Sequence, residues 1–513
     1  MPLNPVLLSL VAGVAFSLGN LGHGLWFVAF FCLVPLIEAL SRVHQRRQAA
    51  LIGLLFGAAL YASGFLWLLD LGEGFFAGSQ AEVIALWGMY GLWFSLLLAV
   101  CCVAIKQLLR WRLPMLLAVA APWLLWESFQ PLVFPAKLGF SLVHHEGLLQ
   151  WARFGGEPLL SLLLIAGNVA IWLMLRKHYR QALVIPAVFC FVMSVLGILE
   201  VFIGEHAIEQ ASMPLRVGVV QGNLVELPKD ERRLVSHHYY ADRSKQLLVD
   251  HPDIDLFVWP ESVYQLGLRT PLPLNAAMVT SGLPIPVLFG SNAITQKAGQ
   301  RSYANALFLA EKQGLVQQQY AKQKLIPLAE HIPAIIHRPD WKLRIQALMP
   351  HLQHFTPGGS KQGFVLNQTR IATPICYEMI DGPLVRALVQ QNNANLLVTV
   401  SNDSWFKEGD APRMHLLLAR LRAVEHGLWV VRAANSGISA LINPRGEVVE
   451  HLPFNTAGEL VVTPELRNTQ TLYSAWGDWC VWLVLFAGVA LLLVRMPMRR
   501  ESTGKHSEIA VSP

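Results

Sequence analysis

Ile371-Ala372-Thr373-Pro374-Ile375-Cys376-Tyr377-Glu378 is the stretch on which the reading of this chain turns. A short β-branched run enters it in the manner of a buried strand, and it ends on a thiol, a phenol and a carboxylate. Five cysteines (Cys32, Cys101, Cys102, Cys190 and Cys480) sit in long apolar runs, whereas Cys376 lies in the polar region 205–475. An unpaired thiol in an oxidising compartment is open to disulfide exchange and over-oxidation. A chain that keeps one there either uses it or buries it as a small core residue. Position alone leaves both readings open.

The rest of the chain says where that thiol lies. Of 513 residues, 54% are hydrophobic and only 14% charged, against about 25% charged in soluble domains. The deficit points to membrane segments. Eight runs approach the roughly 20 residues needed to span a bilayer: 3–20, 24–40, 49–70, 82–105, 113–129, 157–176, 182–204 and 476–496. The first has no basic leader or small-residue cleavage site, so it reads as a retained span. Arg42, Arg46 and Arg47 follow the second run, and Lys106, Arg110 and Arg112 the fourth. Arg176, Lys177 and Arg180 follow the sixth, and Arg495, Arg499 and Arg500 the eighth. Basic short loops stay in the cytoplasm, which places both termini there and 205–475 outside.

The expected organisation is a seven-helix membrane domain (1–204), an extracytoplasmic domain (205–475), an eighth membrane helix (476–496) and a polar cytoplasmic tail (497–513). The net charge of +6 is accounted for by the anchoring clusters and gives no reason to expect nucleic acid. Residues 134–156 mix aromatics, prolines and glycines, as segments at a lipid–water interface do. Adjacent His144 and His145 supply no coordination sphere for a metal.

Region 205–475 alternates strand-like and helix-like runs, the pattern of an α/β domain. Strands are expected at 216–221, 255–259, 286–290, 304–310, 370–376, 395–400, 428–433, 437–442 and 459–463, and helices at 230–249, 382–391 and 412–425. Polar groups follow three of the strands: Pro260-Glu261-Ser262, Cys376-Tyr377-Glu378 and Ser401-Asn402-Asp403-Ser404-Trp405. Strand ends are where α/β sheets collect binding and catalytic groups. A thiol becomes a nucleophile when a base takes its proton. No histidine here has a recognisable pairing signature, and Glu261 is the leading base. A lysine would stabilise both a thiolate and an oxyanion; spacing alone does not separate Lys322 from Lys324.

Trp259-Pro260-Glu261, Tyr320-x-Lys322-x-x-Leu325-x-Pro327 and Cys376-Tyr377-Glu378 together resemble the Glu–Lys–Cys motifs of the nitrilase superfamily. Order, spacing and topology are most similar to the bacterial apolipoprotein N-acyltransferases. Val220-Gln221-Gly222-Asn223, Ser401 to Phe406, Ala419 to Glu425 and Arg432 to Gly437 also look like that family. The resemblance implies eight membrane helices carrying an αββα nitrilase-like domain in the bacterial inner membrane. It further implies an acyltransferase in which Glu261 is base, Lys322 stabilises the oxyanion and Cys376 carries the acyl chain as a thioester. The donor would be a phospholipid and the acceptor the α-amine of a diacylglyceryl-cysteine on an apolipoprotein. Glu330, Tyr377 and Glu378 match supporting positions, and Trp405 and Phe406 a lip near the acyl chain; no cofactor or metal is implied. Departures are Leu328-Ala329 for a usual Phe-Gly, Asp230 where a Trp is common, and Ala136 for another Trp. A membrane-tethered nitrilase-type amidase acting on small amides is the alternative.

Overall fold

Apolar runs become helices through the first two hundred residues. The computed structural model describes residues 3–20, 22–70, 79–205, 214–224, 229–297, 299–333, 338–349, 352–404, 410–468 and 470–502. Among these, Gln80–Arg110, Ala152–Leu175 and Tyr179–Ile198 are long and apolar enough to cross a membrane. Pro5–Gly19, Met115–Phe129 and Trp479–Val494 are shorter apolar helices.

The run 24–40 is not one helix. It divides into a 3-10 turn, Trp26–Phe30, and a nine-residue helix, Val34–Arg42. The break leaves backbone groups without helical partners, and buried Asn168 supplies them: its Oδ1 accepts from Leu33 N–H (2.7 Å) and its Nδ2 donates to Ala29 O (2.8 Å). Non-helical backbone deep in an apolar bundle requires such a partner. At one end of the bundle the basic loops interlock. Glu38 pairs with Arg42 and Arg176, Arg46 bonds Gln107, and Lys106 donates to Leu40 O.

Two sheets build the domain that follows. The larger runs β14-β1-β2-β5-β6-β7-β4, with β3 (Tyr264–Arg269) pairing to β5. Its members are β1 (Val217–Gln221), β2 (Leu256–Val258), β4 (Leu274–Asn275), β5 (Val287–Lys297), β6 (Gln300–Ala310), β7 (Leu315–Ala321) and β14 (Gly458–Val462). The smaller runs β13-β12-β11-β10-β9-β8. It comprises β8 (Phe364–Leu366), β9 (Thr369–Ala372), β10 (Leu396–Ser401), β11 (Val430–Ala434), β12 (Ala440–Ile442) and β13 (Val448–His451).

Alternation of side chains along a strand explains the layering. Val217, Val219, Leu256 and Val258 face the second sheet and share a core with Ile371, Leu397 and Val431. Val220, Phe257 and Trp259 point the other way, to Tyr240 and Ala241 of helix Lys229–Asp250. Helices Gly382–Gln391 and Asp410–His426 cover the second sheet through Val385, Leu388, Ala419 and Ala423. The order of layers is helix, sheet, sheet, helix. The expected strand 370–376 ends early, at Ala372. Pro374 has no N–H for a ladder, and Ile375 keeps only an isolated bridge to Val400.

The two parts of the chain are joined by buried charge. Arg422 and Glu425, both essentially inaccessible, pair at 2.5 Å, and Glu425 Oε1 accepts the N–H of Glu157 (2.9 Å). That N–H follows Gly155 and Gly156, where helix Ala152–Leu175 loses helical geometry. Glu425→Ala strands the Arg422 cation and the Glu157 N–H, which costs about 3–5 kcal/mol. We predict a fall of about 3–5 °C in the thermal unfolding midpoint in detergent. Glu425→Gln, which keeps the acceptor for Glu157, loses less.

Candidate active site

Strand exits from both sheets meet around Cys376. Glu261 arrives after β2 on a loop pressed against β5: a Cβ on Gly290 would lie 2.5 Å from Ser262 N, so only glycine lets the loop approach this closely. Lys322 follows β7 directly, its N–H held by Asn305 O of β6 (2.8 Å). β7 was absent from the expected strands because its Gln317-Gln318-Gln319 run does not read as apolar alternation.

Lys322 is 1% exposed and has two carboxylates beside it. Its Nζ lies 2.8 Å from Glu330 Oε1 and 3.5 Å from Glu261 Oε1. Burial alone would strip its proton, but Glu261 and Glu330 outweigh it and hold the ammonium above the usual lysine range. Lys324 is different: 40% of its side chain is exposed and it pairs with Asp381 at 2.7 Å. The structure separates the two lysines that spacing could not. Asn305 Nδ2 donates to both carboxylates, Glu261 at 2.6 Å and Glu330 at 3.2 Å. Asn402 N–H donates to Glu261 Oε2 (2.8 Å) and Ile326 N–H to Glu330 Oε2 (2.8 Å).

Cys376 opens a 3-10 turn, Cys376–Ile380, in the left-handed region at φ 50°. For a residue with a Cβ that conformation stores strain of about 1–3 kcal/mol, typical of functional turns. Glu378 holds the turn in place. Its carboxylate accepts from Ile375 N–H (2.8 Å), Gln323 N–H (2.6 Å), Lys324 N–H (3.1 Å) and the Tyr320 hydroxyl (2.9 Å). One buried acid thus fastens the lysine loop to the cysteine turn. Tyr377 reaches the other way: its hydroxyl donates to Val133 O, and its ring meets Phe134 edge-on at 6.1 Å. Burial pushes the Cys376 thiol well above its ordinary range, Glu261 adds to this, and Lys322 opposes it. The resting sulfur is a thiol.

Residues that sequence reading missed complete the surroundings. Asp403, after β10, bonds Arg432 (2.7 Å) and His415 Nδ1 (3.1 Å). Burial works against its charge, yet Arg432 and then His415 pull its pKa down to about 2. An imidazole nitrogen of His415, an oxygen of Asp403 and Cys376 Sγ all lie within 4.8 Å of one another. The visible signals were the polar exit Asn402-Asp403 and a lone Asn305 inside an apolar strand. Trp405 and Phe406 lie outside the described residues. Next to the turn, a cavity of about 170 Å³ is lined by Ile380, Met414 and His415 together with Phe16, Leu60 and Phe134. Both parts of the chain build it.

Comparison with known proteins agrees with this architecture. Residues 216–472 match the carbon-nitrogen hydrolase family, and residues 12–170 match the apolipoprotein N-acyltransferase N-terminal domain. The chain is 31% identical to an apolipoprotein N-acyltransferase of Azotobacter vinelandii, over 96% of this chain and 95% of that one. It is 26% identical to one of Geobacter metallireducens, over 98% and 97% respectively. Among solved structures, Saccharomyces cerevisiae Nit3, a member of branch 10 of the nitrilase superfamily, is similar with TM-score 0.39 and 16% identity, over 50% of this chain and 91% of that one. The chain belongs to the apolipoprotein N-acyltransferase family.

Proposed function

We propose that the protein moves an acyl chain from a membrane phospholipid to the α-amine of a diacylglyceryl-cysteine at the N-terminus of an apolipoprotein. The observation that carries this reading is the apolar cavity that Ile380, at the end of the cysteine turn, shares with Phe16 and Leu60 of the apolar helices. A soluble amide needs no such wall; a lipid chain does. Seven membrane segments before the catalytic domain, the second of them broken near Leu33, and one after it would hold the thiol at the outer face of the inner membrane. The interlocked basic residues at one end of the bundle support that orientation.

The chemistry proceeds in two halves. Glu261 takes the Sγ proton of Cys376 as sulfur attacks the ester carbonyl of the phospholipid. Lys322, already positioned and charged, stabilises the tetrahedral oxyanion without reorganising. The ester C–O bond breaks, Glu261 returns the proton to the departing lysophospholipid oxygen, and a thioester remains on Cys376. The acceptor amine then attacks the thioester carbonyl, the C–S bond breaks and an amide forms. A thioester survives between the halves because the pocket excludes water. Glu330 shares the Lys322 charge and Glu378 fixes the distance between lysine and cysteine.

Phospholipid with a labelled acyl chain, incubated with the purified protein, should leave an adduct visible by intact mass and cleaved by hydroxylamine. A diacylglyceryl peptide should discharge it. Persistence of the adduct in Cys376→Ala would remove the nucleophile, and discharge by water but never by the peptide would favour the amidase reading. Glu378→Gln replaces one acceptor oxygen by a donor amid four donors. The lysine loop and cysteine turn then separate, and acylation should slow on the order of 10²-fold while Glu261 and Lys322 stay in place. An unchanged acylation rate would show that Glu378 does not set this geometry.

A further inference from the structure

We propose that Gly64 is a specificity-determining residue. It keeps open the end of the apolar cavity where helices Pro5–Gly19 and Arg46–Gly64 part, and so sets how long an acyl chain the site accepts. This rests on the acyltransferase reading above. The cavity of about 170 Å³ has Ile380 of the cysteine turn and Met414 on its wall, and it reaches Phe16, Leu60 and Gly64 of the two helices. Apolar spaces of this order take up hydrocarbon in preference to water.

Below the cavity the two helices are closed. Ser9, Gly13 and Ser17 recur every four residues and so share one face of the first helix. Ser9 Oγ donates to Ile52 O at 2.6 Å. One turn on, a Cβ at Gly13 would lie 2.4 Å from Phe56 O and 2.8 Å from Leu60 N, so the backbones touch there, as small residues allow. Another turn on, beside Ser17, that contact is gone. Beyond its own helix backbone and chain neighbours, a Cβ at Gly64 would meet only the Ser17 side chain among the described residues, Oγ at 3.0 Å and Cβ at 3.5 Å. The helices part at that level, and the cavity occupies the gap.

The closed stretch acts as a floor. An acyl chain held on Cys376 and running into the cavity advances to the level of Ser17 and Gly64, where the contact between Gly13 and Phe56 stops it. Gly64 is the position at which the depth can change. Its backbone is helical and outside the left-handed region, so a side chain there costs no backbone strain. The Ser17 hydroxyl, the one atom it would crowd, can turn to another rotamer. A larger residue at 64 therefore shortens the cavity from its membrane-helix end. A glycine kept only for helix packing would have no bearing on which chain is taken.

The test uses the full-length protein in detergent and follows the acyl adduct by intact mass. Two glycerophospholipid donors with the same headgroup are compared, one dioctanoyl and one dipalmitoyl. The ratio of dipalmitoyl to dioctanoyl loading rates should fall on the order of 10²-fold in Gly64→Leu. Gly64→Ala, the smaller intrusion, should lower the same ratio roughly 10-fold and decides the matter if leucine disturbs the fold. A ratio unchanged in both variants overturns the proposal, since a packing role alone would lower both rates together. Loading abolished with both donors in both variants overturns it equally. Failure of the unsubstituted protein to load from either donor would instead remove the acyltransferase reading on which this one stands.

Discussion

A lysine ammonium buried to 1% exposure is the constraint around which this site is organised. Taking an isolated cation out of water costs several kcal/mol, so it persists only with carboxylates in contact. Here two acids supply that contact, and they come from separate places: Glu261 from the exit of β2, Glu330 from the loop after Lys322 itself. Asn305 bonds both, so neither can drift without breaking the other's partner. The result is a charge that needs no reorientation when an oxyanion develops beside it. Preorganisation of this kind, in a water-poor pocket, is where most of the rate advantage of such sites arises.

The same electrostatics protect the nucleophile. Burial and the neighbouring Glu261 keep Cys376 protonated at rest, and a thiol is far less open to oxidation than a thiolate. In the orientation proposed above the sulfur faces an oxidising compartment, where this protection counts. Under the mechanism proposed above, activation is conditional on a bound ester, because proton transfer to Glu261 is favourable only when sulfur is forming a bond. The backbone at Cys376 is left-handed, and Glu378 holds that strain with four donors from the segments it joins.

Much of this was legible because the residues proposed as catalytic sit next to strong strand signals. Glu261 and Cys376 each follow an apolar run, and the expected helix 382–391 has the observed bounds, Gly382–Gln391. The short or polar strands β3, β4, β7, β8 and β13 were not legible, since their alternation is only half expressed and long-range pairing decides them. Lys322 could not be told from Lys324 by spacing because the difference is tertiary: one meets Glu330 and the other Asp381. The run 24–40 reads as a membrane helix by hydropathy alone, and the break at Leu33 depends on Asn168, over a hundred residues away. His415 carried no signal at all, because its partner Asp403 lies twelve residues back and its nearness to Cys376 is set by the tertiary fold.

The joint between the two parts follows from the same need to satisfy buried charge. Glu425, on the helix that also carries His415, accepts the backbone N–H that the Gly155-Gly156 break exposes in helix Ala152–Leu175. Tyr377, one residue past the nucleophile, donates to Val133 O beside the cavity-lining Phe134. Both links run from elements of the candidate site, one to helix Ala152–Leu175 and the other to the connection after helix Met115–Phe129. A displacement of the helix bundle would therefore pull on the cysteine turn, which Glu378 ties to the Lys322 loop. The cavity wall and the catalytic groups form one mechanical unit, and that is the physical reason for placing a nitrilase-like domain inside a membrane protein instead of tethering it by a single helix.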